Sequence, residues 1–165
     1  MRRMWKWLSD MPIAGIYSSP SRRALESAAQ RAVDDPAVNV DERLQEIDFG
    51  KLEGLTYHEV ASRFPTTHEM WMTDPTTVRF PGGEHFTAMR ARVLAAVDDI
   101  RIAHAGRTVV NVTHGGVNRI VLAAALRMHA RDIFRIDQAY ANVSVIDYYA
   151  GEPVVRLIND ITMPC

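Results

Sequence analysis

The stretch Thr108-Val109-Val110-Asn111-Val112-Thr113-His114-Gly115-Gly116 constrains the fold more than any other part of the sequence. Its β-branched run reads as the clearest buried strand. It stops at a histidine, passes a tight Gly-Gly turn and continues as an apolar helix from Val117 to Leu126. A strand that feeds directly into a helix is the building unit of a parallel sheet. The same order recurs near the amino terminus. Ile13-Ala14-Gly15-Ile16-Tyr17 reads as a buried strand, Ser18-Ser19-Pro20 opens a helix with Pro20 in its first turn, and Arg22 to Ala32 forms that helix.

The remaining segments fit the same scheme. Asp34-Asp35-Pro36 ends the first of these helices, and Val38-Asn39-Val40 is a short second strand. Leu44 to Gly54 reads as loop, Thr56 to Phe64 as a helix stopped by Pro65, and His68 to Met72 as another turn or two of helix. Thr76 to Glu84 is loop, with Pro81-Gly82-Gly83 as its turn signal. Thr87 to Ala105 is the longest helix, with Met89, Val93, Ala96, Val97 and Ile100 on its core face and Gly106 at its end. Val143 to Tyr149 and Val154 to Ile158 are strands about a turn at Ala150-Gly151-Glu152-Pro153. The whole predicts one α/β domain over residues 1–165, its largely parallel sheet closed by a hairpin.

With 165 residues, 47% hydrophobic and 24% charged, the chain can bury a real core and is not disordered. A formal net charge of -1 argues against a nucleic-acid partner. No apolar run reaches the ~18 residues of a membrane span, so no membrane partner is expected. The single cysteine, Cys165, allows no internal disulfide, which fits a reducing, cytoplasmic setting. At the amino terminus Met1, Met4, Trp5 and Leu8 fall on one helical face, and the pattern is already running at residue 1 with no capping residue before it.

Three polar clusters stand at or near expected strand ends, where ligands bind in α/β sheets. Tyr17-Ser18-Ser19-Pro20-Ser21-Arg22-Arg23-Ala24 joins a helix start to arginines and suits a phosphate; the plainer reading is a capped helix with surface arginines. Val112-Thr113-His114-Gly115-Gly116 puts a histidine and two glycines where backbone can approach an anion; the plainer reading is a histidine that caps a helix. Leu44 to Gly54 alternates carboxylates with apolar residues, and one acid among Leu44, Ile47 and Phe49 could serve as a proton donor. Spacing does not choose between Glu46, Asp48 and Glu53. His58, His68, His85, His104 and His129 show no converging partner and read mostly as solvent-facing. No His-x-x-x-His or Cys-x-x-Cys spacing is present, so no metal is expected.

These clusters, together with Arg79-Phe80-Pro81-Gly82-Gly83-Glu84, occur in the order of the histidine phosphatase superfamily, the phosphoglycerate mutase-like fold, which the chain resembles over essentially its whole length. The similarity is greatest to the small phosphatase branch that includes alpha-ribazole and broad-specificity acid phosphatases. It implies a three-layer α/β/α sandwich and hydrolysis of small phosphate monoesters through a phosphohistidine, with a small phosphorylated metabolite as partner and no cofactor. It implies that Arg23 binds the phosphoryl group while Arg22 points elsewhere. Glu46 is then the general acid, His114 stabilises phosphoryl charge, and Gly115 completes the substrate-binding set. The family opens with a strand ending in Arg-His-Gly, whose histidine attacks phosphorus, and this sequence contains no Arg-His-Gly. The expectation is therefore an amino-terminally truncated chain, inactive as it stands, that lacks a central strand between Val109–Thr113 and Val143–Tyr149. A homo-oligomer through the exposed sheet is expected in turn. The alternatives are a noncatalytic phosphate-binding protein and an unrelated α/β binding domain.

Overall fold

The computed structural model describes residues 2–30, 36–150 and 152–161. At the centre of its sheet is β1 (Ile13–Ser18), paired in parallel on both edges. β2 (Val38–Val40) sets Val40 opposite Ser18, and β3 (Thr108–Val112) sets Val112 opposite Ser18. The three strands thus end at one edge of the sheet.

Helices cover both faces. Alternate side chains of a strand point to opposite faces, and the core divides accordingly. On one face Ile13 and Ile16 of β1 and Val110 and Val112 of β3 pack with Trp5 and Leu8 of α1 (Arg2–Leu8) and Ala28 of α2 (Arg22–Ala28). Trp5 also donates its indole N–H to Ser27 O at 2.7 Å. On the other face Tyr17 and Val109 meet the core side of α5 (Phe86–Ala103), with Met89, Val93, Ala96 and Ile100, and of α6 (Gly115–Ala125), with Val117 and Ile120. Each fully buried large apolar side chain contributes roughly 1.5–3 kcal/mol. The layers are the expected α/β/α.

Several segments differ from the sequence reading. β3 was expected to be deeply buried, yet none of its five residues is. Among the described residues it is the terminal strand of its sheet and pairs with β1. The hairpin of β4 (Val143–Tyr148) and β5 (Pro153–Asp160) does not close the parallel sheet; it forms an antiparallel pair of its own, so β3 and β4 belong to separate sheets. Gly151, in the turn between them, lies outside the described residues, as do Met1, Ala32, Asp34, Asp35 and Cys165. α2 ends at Ala28 rather than running on. Pro65 stops α3 (Tyr57–Arg63) and also opens α4 (Pro65–Thr73), since its missing N–H costs nothing in a first turn. Gly115 and Gly116 belong to the first turn of α6. Among the described residues no helix is long and apolar enough to cross a membrane.

Candidate active site

β1 leaves the sheet at Ser18 and Ser19, whose side chains are fully buried. The Ser18 hydroxyl donates to Ser19 O at 2.9 Å. Ser19 N–H donates to Val112 O at 3.2 Å, which ties the exit of β1 to the exit of β3. His114, two residues past β3, therefore meets the start of α2. Its Nε2 lies 2.7 Å from Ser19 Oγ and its Nδ1 lies 2.9 Å from Arg23 Nη2. A guanidinium can only donate, so Nδ1 accepts, and the neutral ring carries its proton on Nε2 and gives it to Ser19. Burial, and then the charges of Arg23 and Arg92, push the His114 pKa down from 6.5 to about 4. The imidazole is neutral at pH 7. Arg22, one residue away, turns outward to Glu26 at 2.7 Å.

Glu46 reaches the same place from a loop. Its carboxylate accepts the Gly116 N–H at 3.0 Å through Oε2 and the Ile47 N–H at 3.0 Å through Oε1. It thus sits on the first turn of α6, where unpaired amides favour negative charge. A Cβ at 116 would meet that carboxylate and push it off the Gly116 amide. Gly115 is less tightly held; a Cβ would come 3.1 Å from Arg119 Nη1. The other two acids of the loop brace it instead. Asp48 accepts the Gly50 N–H at 2.8 Å and Glu53 the Phe49 N–H at 3.0 Å. Arg23, His114, Gly115 and Glu46 converge, and Asp48 and Glu53 do not join them.

The loop has no ladder to hold it, and it is fixed in two other ways. Its backbone crosses that of the Pro81-Gly82-Gly83 turn. Gly50, at φ 55°, lies where a Cβ would strike Gly83 N and Pro81 O, and a Cβ on Gly83 would strike Asp48 O and come 2.7 Å from Gly50 N. Lys51 N–H donates to Pro81 O at 2.9 Å, and Glu84 N–H to Asp48 O at 2.8 Å. Arg92 of α5 then clamps the pair. It forks onto Glu84 at 2.7 and 2.8 Å and donates to the carbonyls of Arg43, Gln45 and Glu46 at 2.8, 2.7 and 3.3 Å. The sequence reading missed Arg92. The available signal was its position three residues after Met89 and four before Ala96, an arginine beside the apolar stripe of α5.

The remaining histidines were read as mostly solvent-facing, with no converging partner, and most make local contacts away from this site. His104 Nε2 lies 2.9 Å from the Tyr17 hydroxyl, and His85 and His129 accept backbone N–H groups at 3.2 and 3.3 Å as helix caps. His68 packs edge-on to Tyr57, and His58 is exposed. A pocket of about 400 Å³ opens between the Glu46 loop and α3–α4, lined by Phe49, Leu52, Tyr57, Trp71 and Phe80. Among the described residues no three His, Cys, Asp or Glu side chains are grouped to hold a metal.

Residues 1–161 match the family model of the histidine phosphatase superfamily (branch 1). The chain is 39% identical over 150 residues to the bifunctional protein Rv2228c of Mycobacterium tuberculosis, covering 89% of this chain and 41% of that protein. It spans less than half the length of that relative. It is 30% identical over 148 residues to phosphoserine phosphatase 1 of Hydrogenobacter thermophilus, covering 87% of this chain and 69% of that one. The solved structure of Bacillus stearothermophilus YhfR superposes with a TM-score of 0.90 at 31% identity, over 97% of this chain and 80% of that one.

Proposed function

The chain belongs to branch 1 of the histidine phosphatase superfamily, and from that premise we propose that Arg23, His114 and Gly115 bind the phosphoryl group of a small phosphorylated metabolite, with Glu46 as the acid that protonates its leaving alcohol. One observation carries the reading. An arginine and a neutral imidazole touch at the edge where the strands end, and a carboxylate is docked on the next helical turn. Arg23 supplies charge and a planar fork for phosphoryl oxygens. Donors fixed in place before reaction supply much of the stabilisation of transition-state charge.

His114 does not attack phosphorus in this reading. Both of its ring nitrogens are engaged, Nδ1 by Arg23 and Nε2 by Ser19. A phosphohistidine needs another imidazole, in line with the leaving oxygen. The 165 residues contain no Arg-His-Gly to provide it. Following the resemblance, we place such a strand between β3 and β4, the edges of two separate sheets. The contact between Arg23 and His114 serves equally in a second reading, a protein that binds phosphate without turning it over.

The test compares the 165-residue chain with a form carrying an added amino-terminal strand that ends in Arg-His-Gly, both assayed on an aryl phosphate. The shorter chain is expected to hydrolyse at trace level at best, because loss of a nucleophile leaves only the ~10³–10⁴-fold acceleration of binding and charge stabilisation. Phosphate monoesters hydrolyse so slowly unaided that this residue is invisible in an ordinary assay. Robust turnover by the shorter chain, with a phosphohistidine trapped on the parent and absent from His114→Ala, would show that His114 is the nucleophile after all. Inactivity of the extended form alongside tight phosphate binding would favour the noncatalytic reading.

A further inference from the structure

We propose that Ser19 is the positioning residue that pairs with Nε2 of His114 in either tautomer and so allows the tautomer to change when an anion arrives. The proposal deepens the phosphoryl-site reading and rests on it. In the anion-free site Arg23 donates to Nδ1, so the ring proton is on Nε2 and Ser19 Oγ accepts it at 2.7 Å. An anion that draws Arg23 to itself must also be met by His114, and the nitrogen on the Arg23 side is Nδ1. That nitrogen then has to donate. Nε2 is left as an acceptor inside a residue only 7% exposed, and a buried acceptor without a donor is costly.

A hydroxyl meets both demands, because it donates or accepts by rotation. Ser19 is the group in place to do so. Ser18 is spent on Ser19 O, and Ser21 Oγ is 3.5 Å from Nε2. Ser21 Oγ does lie 3.3 Å from Ser19 Oγ, so the hydroxyls form a chain from the buried ring to the half-buried Ser21. In the anion-free state the chain runs outward: Nε2–H to Ser19, Ser19 to Ser21. With the anion bound it runs inward: Ser21 to Ser19, Ser19 to Nε2. One proton leaves Nε2 along the chain to water and one from water reaches Nδ1, so the ring stays neutral and no net proton is taken up. The cationic Arg23 and Arg92 beside the ring oppose an imidazolium.

The experiment uses the 165-residue chain labelled with ¹⁵N-histidine, with His114 signals assigned by their loss in His114→Gln. Long-range ¹H–¹⁵N spectra are recorded without and with inorganic phosphate, and phosphate affinity is measured by calorimetry for the parent, Ser19→Ala and Ser19→Thr. The expected result is Nε2–H without phosphate and Nδ1–H with it. Ser19→Ala should weaken phosphate binding roughly tenfold, because Nε2 loses its donor, while Ser19→Thr retains most of the affinity. An imidazolium in the phosphate complex, an unchanged tautomer, or undiminished affinity in a folded Ser19→Ala would overturn the proposal and leave the phosphoryl site standing. No phosphate binding by the parent chain would overturn both.

Discussion

His114 stands two residues past the end of β3 and Arg23 in the first turn of the helix that follows β1, whereas Glu46 stands on a loop outside the sheet. The first two inherit their positions from the sheet. Ser18 opposite Val112 fixes the exits of β1 and β3 together, and the helices that follow carry the side chains into contact. Glu46 depends on a backbone crossing without room for a methyl group and on one arginine with five hydrogen bonds. The strand-borne half is secured by many weak, repeated contacts. The loop-borne half is secured by a few, and should fail abruptly when one is removed.

The largest effect is expected where the loop has no slack. Gly83→Ala drives a Cβ into Asp48 O, and backbone on both sides must move. A loss of about 3 kcal/mol or more in urea unfolding is expected, with the Gly116 amide signal displaced as Glu46 withdraws. Stability unchanged by this substitution would mean that the crossing is not what holds the loop.

Acid attacks the strand-borne half. His114 is held below its unfolded pKa, so the unfolded chain binds the extra proton first. Stability from the neutral ring is complete above about pH 6.5 and is lost as pH falls towards about 4. The loss is on the order of 2–3 kcal/mol, and His114→Gln should flatten that window of a pH–stability curve. An equally steep window in the variant would place the acid sensitivity elsewhere.

Arg92→Met leaves the Glu84 carboxylate and three carbonyls without a donor. About 2 kcal/mol of destabilisation is expected, with Arg92→Lys recovering only part of it because an ammonium cannot fork onto a carboxylate. Full recovery by lysine would reduce the clamp to simple charge. The smallest change is Tyr17→Phe, which removes the hydroxyl bonded to His104 and should cost about 1 kcal/mol without altering phosphate binding.

The same contrast governs what could be read beforehand. The strand–turn–helix order around His114 is local, so β1, β3 and α6 were legible from apolar runs and turn residues, while the pairing of Arg23 with His114 was expected only from the family resemblance. What depends on pairing between distant segments was not legible. β3 has the composition of a buried strand, and nothing in its own residues says that it is the terminal strand of its sheet among the described residues. Among Glu46, Asp48 and Glu53 composition is silent as well. Their roles separate only when the loop folds, with Glu46 reaching an amide of α6 and the others bonding to amides of their own loop. Arg92 was missed because its five acceptors come from residues 43–46 and 84.

α5 carries a further consequence. Arg92 on this helix grips the Glu46 loop, and His104, at its carboxy-terminal cap, meets Tyr17 of β1. The two contacts are twelve residues apart, about 18 Å along the axis. The helix is therefore a gauge as well as a cover, setting both the spacing and the angular phase of the two halves. Deleting a single residue between those positions would shorten it by only about 1.5 Å but rotate one contact relative to the other by about 100°. Point substitutions on its outer face can drift, whereas its length is fixed, so variation in chain length has to be accommodated in the connections on either side of it.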